Sequence, residues 1–170
     1  MDDLKPKVLP LSDVNAFIAQ HKSFELATLN QQGLPEVSYT PFIRQGDEFY
    51  IFVSDLAKHA ANLRRNPVVA AMCIESESDA QQIYARQRCI LQCDVIEQHA
   101  LSDEAKASIL NEFEACHGAI IKMLRSLPDF NLFKLIPTEI TLVKGFGQAY
   151  RGHPLQMGEW PESFKQLTSA

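Results

Sequence analysis

No two cysteines in this chain have the CxxC spacing of a zinc ribbon or a dithiol centre; Cys73, Cys89, Cys93 and Cys116 are scattered. A structural zinc site is therefore not expected, and the four read as free thiols in a reducing compartment. Cys89 and Cys93 lie four apart in a strand-like stretch and are expected to face the same side. Positive charge is also in deficit: 16 Lys and Arg stand against 21 Asp and Glu, for a net charge of −5 and a pI near 5.5. General binding to nucleic acid or to an anionic membrane needs a basic surface, so neither is expected. No apolar run approaches the roughly 18 residues of a membrane span, and no positive start followed by an apolar run follows Met1. A cytoplasmic protein without membrane insertion is expected. The five histidines form no HxxxH or HExxH pattern, and none sits beside a nucleophile as a triad requires. No repeat or linker breaks the chain.

What is present is ordinary globular composition, 46% hydrophobic and 22% charged over 170 residues. One domain accommodates this, with a helix packed on the barrel over 1–22, a barrel over 23–150 and a tail over 151–170. Ser12 is placed to cap a helix carrying Val14, Phe17 and Ile18 on one face. Alternation from Phe24 and a turn at Gln31-Gln32-Gly33 predict a hairpin, and a second turn at Arg44-Gln45-Gly46-Asp47 leads to a third strand, Phe49-Tyr50-Ile51-Phe52-Val53. Ser54 or Asp55 is expected to cap a helix through Lys58 and Leu63 that Asn66-Pro67 ends. Residues 68–74 form a fourth strand, 81–97 read as one long strand, and 102–124 as one helix that Leu127-Pro128-Asp129 breaks. Two last strands over 130–136 and 139–144 flank Pro137-Thr138. Hairpins with inserted helices and no βαβ alternation predict a mainly β fold, an antiparallel barrel closed or nearly closed to remove its edges.

Four places carry chemistry. The first turn of the helix after Val53 offers free backbone N–H groups beside Ser54, Lys58 and His59, which suits an anion, although a capped surface helix has the same pattern. Arg86 and Arg88 lie two apart in the expected strand and share a face, a pairing that suits phosphate or carboxylate but equally a solvated sheet; Gln87 faces the other way. Asp129 can orient an imidazole or serve an Asx turn. His153, in a Gly-His-Pro segment, reads first as an exposed loop residue, yet it is the histidine best placed to swing into a pocket. Gly145 and Gly147 around Phe146 suggest a bulge at the barrel wall.

The segments Val37-Ser38-Tyr39-Thr40-Pro41-Phe42, Ala57-Lys58-His59-Ala60-Ala61-Asn62-Leu63, Tyr84-Ala85-Arg86-Gln87-Arg88, Asp129-Phe130-Asn131-Leu132-Phe133 and Lys144-Gly145-Phe146-Gly147-Gln148-Ala149-Tyr150, in this order, resemble the flavin-binding split-barrel superfamily of pyridoxamine 5′-phosphate oxidase. Within it they are most similar to the haem-utilisation branch of HutZ and HugZ, over residues 24–150. The resemblance implies a homodimer of split barrels with two sites at the interface, each built from both copies. In the flavin branch it implies that Ser54, Lys58, His59 and Gln87 surround FMN, largely at its phosphate, with Ser38 where a basic residue is usual. In the haem branch it implies that Arg88 supports haem degradation and that Asp129 contacts, across the dimer, a C-terminal histidine that ligates iron. His153 is the last histidine of this chain and the candidate ligand. Three functions follow: oxidative haem degradation, an FMN oxidoreductase, or a non-enzymatic haem or flavin binding module.

Overall fold

Strict alternation along residues 23–29, with Phe24, Leu26 and Thr28 buried and their neighbours exposed, is what a strand with one face on a core requires. The computed structural model describes residues 8–152 and 163–166. Its elements, in order, are β1 (Val8–Pro10), α1 (Leu11–Ala19), β2 (Ser23–Leu29), β3 (Pro35–Gln45), β4 (Glu48–Ser54), α2 (Lys58–Arg65), β5 (Val68–Ile74), a 3-10 turn (Ile83–Ala85), β6 (Arg88–Glu97), α3 (Asp103–His117), α4 (Ile120–Leu124), β7 (Phe130–Gly145), β8 (Gln148–Gly152) and β9 (Ser163–Gln166).

Six of the strands close into an antiparallel barrel in the order β2, β3, β4, β7, β6, β5, with β5 returning to β2. Closure leaves no free edge on these six strands. β8, β9 and β1 extend the sheet from β7. The barrel interior is filled by aromatic and branched side chains, among them Phe24, Phe42 and Phe49. Phe24 stacks on Phe42 at 3.8 Å and Phe49 meets both edge-on. Val14, Phe17 and Ile18 of α1 belong to this core. A second cluster joins Ile109, Leu110 and Phe113 of α3 and Ile121 of α4 to Ile43, Tyr50, Phe52 and Leu132 on the outer wall.

Several sequence expectations need correction. The strand expected over 81–97 begins only at Arg88, because the Gln82 side chain accepts a bond from Tyr84 N–H and closes a 3-10 turn. The helix expected over 102–124 is two helices. Ser102 caps α3 as expected, accepting from Ala105 N–H at 3.2 Å, but Gly118 at φ 87° breaks the path before α4. The two last strands are one. Pro137, which has no N–H to give, sits at the register shift opposite Gln92 and Cys93, and β7 continues past it. Ser12 lies inside the first turn of α1 instead of capping it. The bulge expected near Gly145 is present, as a register shift between Val143 and Gly145. The four cysteines are free, with Cys73, Cys89 and Cys93 buried.

Candidate functional site

Helix α2 starts from Ala57, whose extended backbone offers no side-chain cap. The cap expected from Ser54 or Asp55 is therefore absent; Ser54 Oγ instead accepts Leu56 N–H at 3.1 Å, in the turn before the helix. Between this helix and β2–β3 lies a cleft of about 320 Å³ lined by Thr28, Glu36, Val37, Ser38, Ala57, Lys58 and His59. Three residues predicted from sequence, Ser38, Lys58 and His59, thus meet in one place.

The chemistry of the cleft is close to neutral. Ser38 Oγ and His59 Nε2 are buried with no hydrogen-bond partner among the described residues. Burial pushes the His59 imidazole below its ordinary pKa, so the ring is held neutral. Asn62, buried on the inner face of α2, donates from Nδ2 to Thr28 Oγ1 at 3.0 Å and to Glu36 Oε2 at 2.8 Å. That bond, more than the nearby ammonium, holds the Glu36 carboxyl below the usual carboxylate range. Lys58 Nζ lies 4.0 Å from Glu36 Oε1 and is largely exposed. One lysine is offset by one carboxylate. Sequence reading missed Glu36 and Asn62, for they stand 26 residues apart and no local pattern links them.

A second group forms where β4 ends. Ser54 Oγ donates to Asp129 Oδ2 at 2.5 Å. Asp55 N–H donates to Asp129 O at 2.8 Å, and Asn131 Nδ2 donates to Asp129 O at 3.2 Å and to Asp55 Oδ1 at 2.9 Å. Arg64 reaches Asp55 at 2.7 Å, binds Glu97 through Nε and Nη2, and packs over the Phe133 ring. Asp129 Oδ1 accepts no bond among the described residues.

The third group is at the start of β6. Arg86 precedes the strand and turns its Nε and Nη2 onto the carbonyl of Glu75, with Nη1 3.5 Å from Glu77. The expected same-face pair with Arg88 therefore does not exist; Arg86 is spent on the loop before it. Gln87 is exposed, and its N–H donates to Glu75 Oε2 at 3.0 Å. Arg88 is half-buried and donates to Arg86 O at 3.0 Å. Arg88 pairs with Val143, whereas Phe130, next to Asp129, pairs with Ser54. At about 3.3 Å per residue the two positions are roughly 40 Å apart measured along β7, and no hydrogen bond or ion pair joins Arg88 to Asp129 among the described residues. His153 lies outside the described residues.

Outside the barrel, β3, β2, β5 and β6 present a small-residue and apolar face. Val37, Ala27, Ala70 and Gln92 form one row in register, and Tyr39, Glu25, Met72 and Ile90 the next. Val37 is 82% exposed and Tyr39 69%. A shallow hollow of about 190 Å³ lies on this face, against Val37, Met72 and Ile90.

The model of the family described as pyridoxamine 5′-phosphate oxidase matches residues 12–144. The chain belongs to that family. Among curated relatives it is similar to heme oxygenase HutZ of Vibrio cholerae serotype O1, with 39% identity over 140 residues, 82% of this chain and 78% of the relative. Among solved structures it is similar to HutZ, described as the heme storage protein from Vibrio cholerae, at a TM-score of 0.73 and 34% identity, covering 82% of this chain and 97% of that one. It also resembles Campylobacter jejuni ChuZ, at a TM-score of 0.78 and 31% identity, covering 89% of this chain and 61% of that one. The pyridoxamine 5′-phosphate oxidase fold is thus shared, and the closed six-stranded barrel agrees with it. No helix among the described residues is long and apolar enough to cross a membrane.

Proposed function

We propose that this chain binds haem between two copies of itself and opens the macrocycle oxidatively, as a haem-utilisation protein of the HutZ type. The observation that carries the choice of haem over flavin is the Glu36 carboxylate in the α2 cleft. A flavin phosphate brings about −2 charge and needs donors that are free. Here Lys58 already faces Glu36, His59 is held neutral and Ser54 donates to Asp129. These residues do not fit a phosphate, so Ser38, Ser54, Lys58, His59, Arg86 and Gln87 do not form a flavin-phosphate site in this reading. Similarity to HutZ over most of the chain supports the same choice.

The groups needed for haem are compatible with what the barrel offers. Arg88 and Asp129 stand at positions set by opposite ends of β7, which supports a reading in which two copies together set both on one ligand. The exposed apolar face around Val37 and Tyr39 supplies the surface for that copy. Two-fold pairing through it would make each interface residue count twice. Haem iron, when bound, supplies the oxygen chemistry that the protein side chains lack. The chain's part is to hold and orient. His153 is the residue we assign to hold the iron. Asp129 of the other copy would accept the ring N–H, fixing the tautomer and strengthening the imidazole as a donor. Arg88 would hold anionic groups of the ligand beside β6. The protein would act in the cytoplasm, where its buried thiols stay reduced.

Separate incubation of the purified protein with hemin and with FMN tests this. Hemin is expected to give a Soret band distinct from free hemin that changes in His153→Ala, while FMN keeps its free spectrum. A protein that purifies yellow, or that binds FMN and leaves hemin unchanged, overturns the reading in favour of a flavin oxidoreductase. An unchanged hemin spectrum in His153→Ala removes that residue from the iron. Ascorbate or hydrogen peroxide is then expected to convert the bound haem to a biliverdin-like product; its absence would leave a haem carrier.

A further inference from the structure

The contact between Ser54 and Asp129 joins residues 75 positions apart, and strand pairing creates it. Ser54 is the last residue of β4, and it pairs in register with Phe130, the first residue of β7. The residue just before Phe130 therefore arrives beside the Ser54 side chain in every copy that closes the barrel. A serine hydroxyl has one hydrogen to give. Here it goes to Asp129 Oδ2 at 2.5 Å, and the oxygen accepts Leu56 N–H at 3.1 Å.

The rest of Asp129 is pinned as well. Its carbonyl accepts from Asp55 N–H and from Asn131 Nδ2. Asn131 is held in turn by Asp55 Oδ1, and Asp55 by Arg64, whose other donors grip Glu97. Backbone and one carboxylate oxygen are fixed. Oδ1 is the acceptor left over among the described residues, with its lone pairs available to a donor from outside this web.

We infer that Ser54 is a positioning residue which locks one oxygen of Asp129, so that the other is presented to an N–H donor arriving from a second copy, with the Arg64–Asp55–Asn131 web holding the frame. This rests on the haem reading above, where that donor is the imidazole of the iron ligand. It moves Ser54 out of a phosphate-binding role and gives it a role in orienting the residue that would hold the iron. A carboxylate left to rotate would still accept the N–H, but in a spread of orientations, and the ligand's donor strength would vary with it. Outer partners of this kind typically change metal affinity about 10- to 100-fold when removed.

The test compares wild type, Ser54→Ala, Ser54→Thr and Asp129→Asn, each with two readouts. The first needs no haem: the side-chain carboxyl carbon signal of Asp129, recorded on aspartate-labelled protein and identified by its loss in Asp129→Asn. It is expected to move in Ser54→Ala and to return in Ser54→Thr, which keeps the hydroxyl. The second is a hemin titration followed by the Soret band and the iron–histidine stretch. Ser54→Ala is expected to bind hemin about tenfold or more weakly, with a shifted stretch, and Ser54→Thr to restore both. A merely structural role would lower the urea midpoint of Ser54→Ala and leave the stretch where it is, which overturns the inference. An Asp129 signal unmoved in Ser54→Ala overturns it too, whatever hemin does. Wild-type protein that leaves the hemin spectrum unchanged overturns the haem reading and the axial role together, while the carboxyl signal still decides whether the contact forms.

Discussion

Replacement of Val37 by aspartate puts the proposed pairing of two copies at risk while leaving the barrel nearly untouched. Val37 is 82% exposed and points away from the core, so in a single copy the change costs no more than a strand-propensity term below about 1 kcal/mol. In a two-fold dimer the side chain is buried on both sides of the axis. Burying a valine fully is worth about 1.5–3 kcal/mol, so removing two of them costs about 3–6 kcal/mol. Each 1.4 kcal/mol is tenfold, which gives a dimer dissociation constant weaker by about 10²- to 10⁴-fold before charge repulsion is counted. Sedimentation velocity across a dilution series measures this directly. Wild type is expected to remain a dimer at concentrations where Val37→Asp is a folded monomer, its urea midpoint lowered only by the association it has lost. A Val37→Asp protein with wild-type self-association would show that this face is not the interface.

The His59 ring is held neutral by burial, so the unfolded chain binds a proton near pH 6.5 that the folded chain does not. Stability is therefore expected to fall as pH drops from about 7.5 to 5.5, and urea titrations of His59→Gln should show a flatter pH dependence than wild type. Gly118 sits at φ 87° with open space around it, so Gly118→Ala meets no clash but takes a strained backbone. A loss of about 1–3 kcal/mol in urea unfolding is expected, and a neutral result would mean that the junction of α3 and α4 can rearrange. Burial raises the Cys89 thiol to about 12 and pushes Cys73 and Cys93 up as well. A thiol reagent at neutral pH is expected to label half-buried Cys116 first, and the other three only once urea opens the barrel.

The strands were legible because one face of each is buried and the period of two survives in the sequence, as in Phe24, Leu26 and Thr28. The 81–97 stretch misled for a physical reason. Alternation continues through Tyr84 and Arg86, but there the backbone finds closer partners in the Gln82 side chain and the loop at Glu75, and it turns before the strand begins. Local patterns also hid the break at Gly118, since the apolar spacing of one long helix persists in two helices that pack on the same wall.

The site was legible only in pieces. Sequence spacing singled out Ser54, Lys58 and His59 as one anion-binding turn, because they follow one another along the chain. The fold instead divides them: Lys58 and His59 face Glu36 and Ser38 across the cleft, while Ser54 turns to Asp129. Both partners are carboxylates brought in by strand pairing, and a carboxylate at each place reverses what a basic turn would select. Shared fold therefore does not fix the ligand here. Two long-range contacts, Lys58 with Glu36 and Ser54 with Asp129, engage donors that a phosphate would otherwise draw on. If Glu36→Gln gave the protein measurable FMN affinity, it would show that the cleft carboxylate alone keeps flavin out.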